Sequence, residues 1–331
     1  NGRLKNATIH FSYSVENAIV LSKTDISGSL YDKQSIYVYK GDGLTPYSKS
    51  LNVTSSNRDV VTTSRTGNKI KLEVGEYIKS SISIESNDTV LFFMQNGNYY
   101  HYNAAAIPIG ERVPAQCLFA MENWENICAV ASLNKKSEKE NILFFTKNGI
   151  AKKSLLSEYN TKRSTAMKAL NLDAGDEIIS VIFTNKEKVG LLTEMGNFII
   201  IETDDIRPIG RVARGVKAMK LNDGDYIISG RPIPAATKFI VSVSGEGLIK
   251  KTSYSEFIVQ GKNTKGAKLQ KLTDGDWMAD FMPLAAETEI LVNATTSCIK
   301  MNVEEIPEFG RGAQGNKAIK LTAKNNVVGL S

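Results

Sequence analysis

The residues best able to do chemistry in this sequence are cations that return at a fixed interval. One group follows a turn: Lys152 and Lys153, Lys250 and Lys251, and Lys300. A second group comes later in each interval: Lys162 and Arg163, then Arg207, Arg211, Arg214 and Lys217, then Lys262, Lys265 and Lys268, then Arg311 and Lys317. The chemistry such groups support is the binding of phosphate. Glycines beside the arginines, in "IGRVARG" and "FGRGAQG", suit that purpose. They permit close backbone approach and leave amides free to meet an anion.

Other chemistries find less support. Asp173/Asp176, Asp223/Asp225 and Asp274/Asp276 pair carboxylates, but each pair sits inside a recurring Gly-Asp turn, where Asp bonds nearby amides. The stretch "GKNTKGAK", Gly261 to Lys268, mimics a phosphate-cradling loop without its Gly-Lys-Ser/Thr or a βαβ setting. Cys117, Cys128 and Cys298, with only His10 and His101, build no zinc spacing and read as small buried groups. No acid, base and nucleophile converge, so no catalytic residue, metal or cofactor is expected in this domain. Trp124 and Trp277 read as core, and Phe144, Phe145, Leu191 and Leu192 as strand interior.

The elements that must position these cations are written as a repeat. "GVKAMKLNDGDYIISG" (215–230) returns as "GAKLQKLTDGDWMADF" (266–281). Each is preceded by a strand–turn–strand phrase, clearest in "ILFFTKNGIAKKSLLSEY" (142–159). Asn-Gly between apolar runs predicts a hairpin with a type I′ turn. The turns fall at 43, 97, 149, 196, 247 and 297. No apolar period of 3.6 persists. Units of about 50 residues holding four short strands predict an all-β, six-bladed, propeller-like array, a β-pinwheel. The blades are placed near 36–87, 88–137, 138–186, 187–235, 236–286 and 287–331. Residues 1–35 form a lead-in or a blade-completing strand.

The chain of 331 residues is 42% apolar and 23% charged, ordinary for a soluble domain. No apolar run approaches the roughly 20 residues a membrane span needs. It opens "NGRLKNATIH", without Met or a secretory pattern, and reads as a piece of a longer cytoplasmic protein. Residues 1–140 carry 15 Lys and Arg against 14 Asp and Glu, while residues 141–331 carry 26 against 21. The basic excess therefore lies where the cations are periodic.

Equivalent positions in a ring of blades lie at equivalent places around it, so one cation per blade becomes a basic belt. A belt on a curved wall suits duplex DNA, whose phosphates supply most sequence-independent affinity. Bending a short duplex by 40–90° costs on the order of 1–6 kcal/mol, so several blades must contribute. Loss of one Lys is expected to matter little, and loss of a blade's cluster much. Two other readings stay open on the residues alone: a propeller whose partner is a protein, and an enzyme with a site in a central channel.

The phrases "ILFFTKNGIAKKSLLSEY", "ALNLDAGDEIISV" and "IRPIGRVARGVKAMKLNDGDYIISG" resemble blades of the C-terminal domain of bacterial type IIA topoisomerase A subunits, those of DNA gyrase and topoisomerase IV. The resemblance covers about 36–331 and is most specific over 141–284. It implies a basic rim that binds and bends duplex DNA without base preference. It also implies partners: the rest of the A subunit, whose catalytic core receives the DNA, and an ATPase B subunit. Gyrase-type domains carry a Gln-Arg-Arg-Gly-Gly-Arg-Gly box in the first blade. The matching stretch here, 52–69, holds Arg58 and Arg65 but no box, which implies behaviour nearer topoisomerase IV. The family's catalytic tyrosine follows an Arg in the core, and no Arg-Tyr pair occurs in this chain.

Overall fold

The computed structural model describes residues 9–12, 19–21, 33–40, 52–55, 61–66, 69–74, 84–107, 118–119, 126–134, 140–161, 163, 165–184, 188–295, 298–321 and 326–331. The chain divides into two compact units. The first comprises residues 1–77, 294–297 and 321–326. It holds β1 (Ile9–Ser12), β2 (Ile19–Leu21), β3 (Lys33–Lys40), β4 (Asn52–Ser55), β5 (Val61–Thr66) and β6 (Lys69–Val74). β2, β3, β6 and β5 form one sheet in that order, and β1 pairs with β4. The turn expected at residue 43 lies outside the described residues. β3 takes β2 and β6 as neighbours, while β4 is used by β1.

The second unit repeats one plan. Its strands are β7 (Thr89–Met94), β8 (Asn98–Asn103), β9 (Ile127–Leu133), β10 (Asn141–Thr146), β11 (Ile150–Leu155), β12 (Met167–Lys168), β13 (Ile178–Thr184), β14 (Lys188–Thr193), β15 (Asn197–Glu202) and β16 (Val216–Lys217). They continue as β17 (Ile227–Ile233), β18 (Phe239–Ser244), β19 (Leu248–Ser253), β20 (Ala267–Lys268), β21 (Met278–Leu284), β22 (Glu289–Ala294), β23 (Cys298–Asn302), β24 (Asn316–Lys317) and β25 (Val327–Leu330). The sheet orders are β12-β8-β7-β9, β13-β10-β11-β16, β17-β14-β15-β20, β21-β18-β19-β24 and β23-β22-β25.

Each four-stranded sheet of this second unit thus takes three strands from its own stretch of sequence and a two-residue edge strand from the next. The sequence divides into consecutive four-stranded blocks; the fold interlocks them instead. A pleated hairpin leaves the outer edge of its second strand unpaired, and the following unit covers that liability.

Both faces of the β10–β11, β14–β15 and β18–β19 hairpins are buried, which explains apolar runs where a half-exposed strand would alternate; β22 does alternate, and β23 is not buried. In β10, Phe144 packs with Phe93, Tyr99 and Tyr159, while Phe145 packs with Val189 and Leu191 of the following sheet. Leu192 turns to a third cluster with Phe198, Ile240 and Phe281. Phe144, Phe145, Leu191 and Leu192 are all interior, as expected. Cys128 is half-buried and Cys298 exposed, so burial does not hold for the latter. Trp277 is half-buried over Gly245, while Cys117 and Trp124 lie outside the described residues.

The hairpin loops differ from the type I′ expectation. Phe145 pairs with Ala151, which leaves a three-residue loop, 147–149. Gly149 has φ +84° and its N–H donates to Thr146 O at 3.1 Å, whereas Asn148 has negative φ. This is the type I turn followed by one left-handed glycine, the three-residue alternative. Gly97, Gly196 and Gly247 repeat it, with φ of 81°, 85° and 84°.

Candidate nucleic-acid interface

The cation-bearing loops are built from the edge strands. Lys168, Lys217, Lys268 and Lys317 each occupy the second position of such a strand. They pair with Asn98, Ile150, Asn197 and Leu248, which are in every case the first residue of the second hairpin strand of the preceding sheet. All four lysines are exposed. Equivalent register therefore puts one ammonium at the same place on the edge of four successive sheets.

Register holds because the turn glycines admit the incoming strand. Their carbonyls accept from Ala169, Ala218, Leu269 and Ala318 N–H at 2.8–2.9 Å. The Gly-Asp turns fasten the same corner. Asp176, Asp225 and Asp276 each accept from a hairpin-loop amide, that of Asn148, Met195 and Glu246 respectively, at 3.0 Å. This is turn chemistry of the kind expected for these carboxylates.

The loops are also joined to one another by backbone. Asn171 N–H donates to Ala213 O at 3.4 Å, and Asn263 N–H to Ala218 O at 2.7 Å. Lys220 N–H donates to Thr264 O at 2.9 Å, and Lys271 N–H to Ala313 O at 3.1 Å. The segments around residues 160–172, 206–220, 260–271 and 310–320 thus form one train, each bonded to the next.

Arg163, Arg207, Arg214, Lys217, Lys262, Lys265, Lys268, Arg311 and Lys317 are exposed on this train. Arg211 is half-buried. Its guanidinium lies 5.8 Å from the Tyr99 ring centroid and donates to Lys168 O. Arg214 pairs with Asp173. Lys262 donates to Asp205 O at 2.9 Å, and Lys268 to Met195 O. Lys162 lies outside the described residues.

Four of the expected surface cations are interior. Lys152 and Lys250 are 0% exposed, Lys153 4% and Lys251 6%. The Lys152 ammonium donates to Tyr159 Oη at 2.9 Å, Ala169 O at 3.0 Å and Arg211 O at 2.6 Å. Lys250 donates to Gly310 O at 2.7 Å. Lys153 donates to Thr203 O at 3.0 Å and pairs with Asp204 at 3.4 Å; Lys251 donates to Val303 O and pairs with Glu287, both at 3.1 Å. The physical reason is the exchanged strand: the loop of the next unit covers the second hairpin strand and closes over these side chains. Burial pushes Lys152 and Lys250 down to about 8, against a smaller opposing pull from Glu158 and Glu256 respectively. These four lysines therefore do not stand on a phosphate-facing surface.

The row gains other members. Lys168 aligns with Lys217, Lys268 and Lys317 once the repeats are matched on the edge strand. Lys220, Lys271 and Lys320 stand three residues after that lysine in three units, and all are exposed. The signal for them is the Lys-apolar-apolar-Lys spacing of "KAMK" and "KAIK", with "KLQK" a near match.

Among the described residues no helix is long and apolar enough to cross a membrane, and no group of three or more His, Cys, Asp or Glu is placed to hold a metal ion.

Comparison with known proteins bears on the same residues. The family model described as "DNA gyrase C-terminal domain, beta-propeller" matches residues 140–185, 191–234, 238–285 and 297–331, more than half of the chain. The DNA gyrase A subunit of Helicobacter pylori (strain ATCC 700392 / 26695) is 30% identical over 258 residues, which is 75% of this chain and 31% of that protein. The DNA gyrase A subunit of Salmonella typhimurium is 28% identical over 267 residues, 78% of this chain and 30% of that protein. The chain therefore spans about a third of the length of these curated relatives. In fold it is similar to the crystal structure of the C-terminal domain of DNA topoisomerase IV, with TM-score 0.70 and 19% identity over 96% of this chain and 94% of that one. A DNA gyrase A C-terminal domain follows at TM-score 0.64 and 18% identity, over 85% and 95%. The interlocked four-stranded sheets, the glycine turns and the matched repeats agree: this chain belongs to the family of DNA gyrase C-terminal domains of β-propeller type.

Proposed function

We propose that this chain binds duplex DNA without base preference and bends it, as the C-terminal domain of a type IIA topoisomerase A subunit. The bent segment is delivered to a catalytic core on the same polypeptide, and an ATPase B subunit drives the change of topology in the cytoplasm. The observation that carries the reading is the train of hydrogen-bonded loops. It sets Lys168, Lys217, Lys268 and Lys317 at one register position on successive sheets. Cations at equal steps suit a phosphate backbone, whose contacts are numerous and carry no sequence information.

Simple bending of the topoisomerase IV kind is favoured over chiral wrapping by the missing Gly-Arg box in 52–69. The gyrase reading is supported by the identity of the curated relatives. Ligation of nicked plasmid in the presence of the domain separates the two. A positive shift in linking number marks wrapping; retained binding with no shift marks bending. Failure of longer duplexes to bind more tightly than short ones, or binding indifferent to salt, overturns the DNA reading itself. Charge reversal of Arg207, Arg211 and Arg214 together is expected to weaken binding, and unchanged affinity would move the interface elsewhere.

A further inference from the structure

Two of the loops on the proposed DNA surface are held from beneath by a buried ammonium, and the loop between them is not. Around Arg211, Lys152 Nζ donates to Arg211 O at 2.6 Å and Ser154 Oγ to Ile209 O at 2.6 Å. Ile209 N–H donates to Lys153 O at 2.8 Å, and Glu158 accepts the Arg211 N–H at 2.7 Å. Around Arg311 a matching set recurs, with the ammonium on the carbonyl one residue earlier. Lys250 Nζ donates to Gly310 O at 2.7 Å, Thr252 Oγ1 to Phe309 O at 3.0 Å, Phe309 N–H to Lys251 O at 2.9 Å, and Glu256 accepts the Arg311 N–H at 2.9 Å. In the sheet between, the positions of Lys152 and Ser154 are taken by Ile199 and Ile201. There the hairpin strand offers the loop a backbone bond and no side-chain clamp, Gln260 N–H to Ile200 O at 2.8 Å; the loop's other bonds include Asn263 N–H to Ala218 O at 2.7 Å, Lys220 N–H to Thr264 O at 2.9 Å and the exposed Lys262 Nζ to Asp205 O at 2.9 Å.

We infer that Lys152 and Lys250 are positioning residues: each clamps the Gly-Arg turn of the following unit from inside, fixing a DNA contact on two sheets, while the loop of the sheet between them has no such clamp. A turn carbonyl drawn inward onto an ammonium cannot face the phosphate, so the clamp also clears acceptors from the surface. Charge-assisted bonds are roughly twice as strong as neutral ones, and here they act out of water. The inference rests on the DNA reading above.

The test uses the whole chain and a mixed-sequence duplex. Amide hydrogen exchange without DNA is expected to be slower at Arg211 and Ala213 and at Arg311 and Ala313 than at Gly261, Lys262 and Thr264; the Asn263 N–H, itself bonded to Ala218 O, is left out of the comparison. Lys152→Met should speed exchange at Arg211 and Ala213 about tenfold and spare Arg311 and Ala313; Lys250→Met should do the converse. The slope of log affinity against log salt should fall by about 0.9 for each phosphate contact released. General destabilisation would not lower that slope in a chain still folded. Unchanged exchange in the turn, or a loosened turn with unchanged slope and affinity, overturns the inference. If the Met variants do not fold, Ser154→Ala and Thr252→Ala remove one clamp bond each, and should show the same local effects on a smaller scale; no effect overturns the inference. If the unaltered chain binds no DNA at low salt, the DNA reading falls and the positioning role with it, even where exchange shows the clamp.

Discussion

The Nζ of Lys152 lies 2.6 Å from the carbonyl oxygen of Arg211. Two cations that the sequence assigns to one surface thus meet with one of them beneath it, holding the backbone of the other. Like charges tolerate this closeness because Arg211 turns its guanidinium to Tyr99 and Lys168 O and offers its carbonyl inward.

That arrangement predicts a pH effect. Lys152 and Lys250 stand at about 8 in the folded chain against an ordinary 10.5. Between those values the unfolded chain holds more protons than the folded one, so stability rises with pH there and is flat with respect to these groups below it. Denaturant unfolding of the unaltered chain should gain on a Lys152→Met, Lys250→Met chain as pH rises from 7 to 10. The gain is at most about 1.4 kcal/mol per pH unit for each lysine. Parallel curves would show that burial leaves the ammonium groups unperturbed.

The Gly-Asp turns predict a stability effect with no change in DNA contacts. Asp225 accepts from Met195 N–H, Tyr226 N–H and Asn197 Nδ2, each at 3.0 Å, and is itself buried. Asp225→Ala leaves those donors without their carboxylate and should cost about 1–3 kcal/mol. Asp225→Asn, which keeps an acceptor oxygen, should recover part of the loss. A thermal melt that does not distinguish the three chains would mean that the hairpin loop is held by its own turn alone.

Two glycines with the same backbone should respond differently. Gly149 and Gly275 have φ of 84° and 81°. A Cβ at Gly149 would stand 2.7 Å from Met219 O, whereas one at Gly275 meets nothing within 4 Å. Gly275→Ala should cost only the left-handed penalty, about 1–2 kcal/mol. Gly149→Ala must also push away the edge-strand connection, and should cost clearly more. Equal losses in chemical denaturation would mean that the approach of the exchanged strand is not held open by glycine.

The edge lysines should act as a row. Lys217→Gln, Lys268→Gln and Lys317→Gln combined should lower the salt slope of DNA binding by about 0.9 for each phosphate no longer neutralised, and weaken binding alike across sequences. The triple change should leave the melt near that of the unaltered chain, since the side chains are exposed. A slope that stays constant would remove this row from the interface.

Much of this is written in the sequence. The Asn-Gly and Gly-Asp phrases locate the corners because φ > 0 has few residue solutions, and runs such as "ILFF" declare strands buried on both sides. Two things are hidden in it. The exchanged edge strand is only two residues long, too short to carry a period, so its attachment to another unit leaves no local mark. The fate of Lys152 follows from that attachment: the sequence shows a lysine in a strand, and only the loop arriving from residues 206–217 makes it interior. The lysine row is partly legible. Lys217, Lys268 and Lys317 stand out within the periodic cation clusters, while Lys168, Lys220, Lys271 and Lys320 emerge only when the repeats are aligned on the edge strand.

The exchanged strands also decide how tension is carried. A loop that starts on one sheet and ends stitched to the one before it is anchored at both ends to different bodies. When a stiff polymer pulls outward on Lys217, the load passes by β16 into β10 and β11 as well as through the chain into β15 and β17. On the DNA reading, none of the four sheets that borrow an edge strand yields alone, so the recoil of a bent duplex would be shared out along the row rather than concentrated at one hinge.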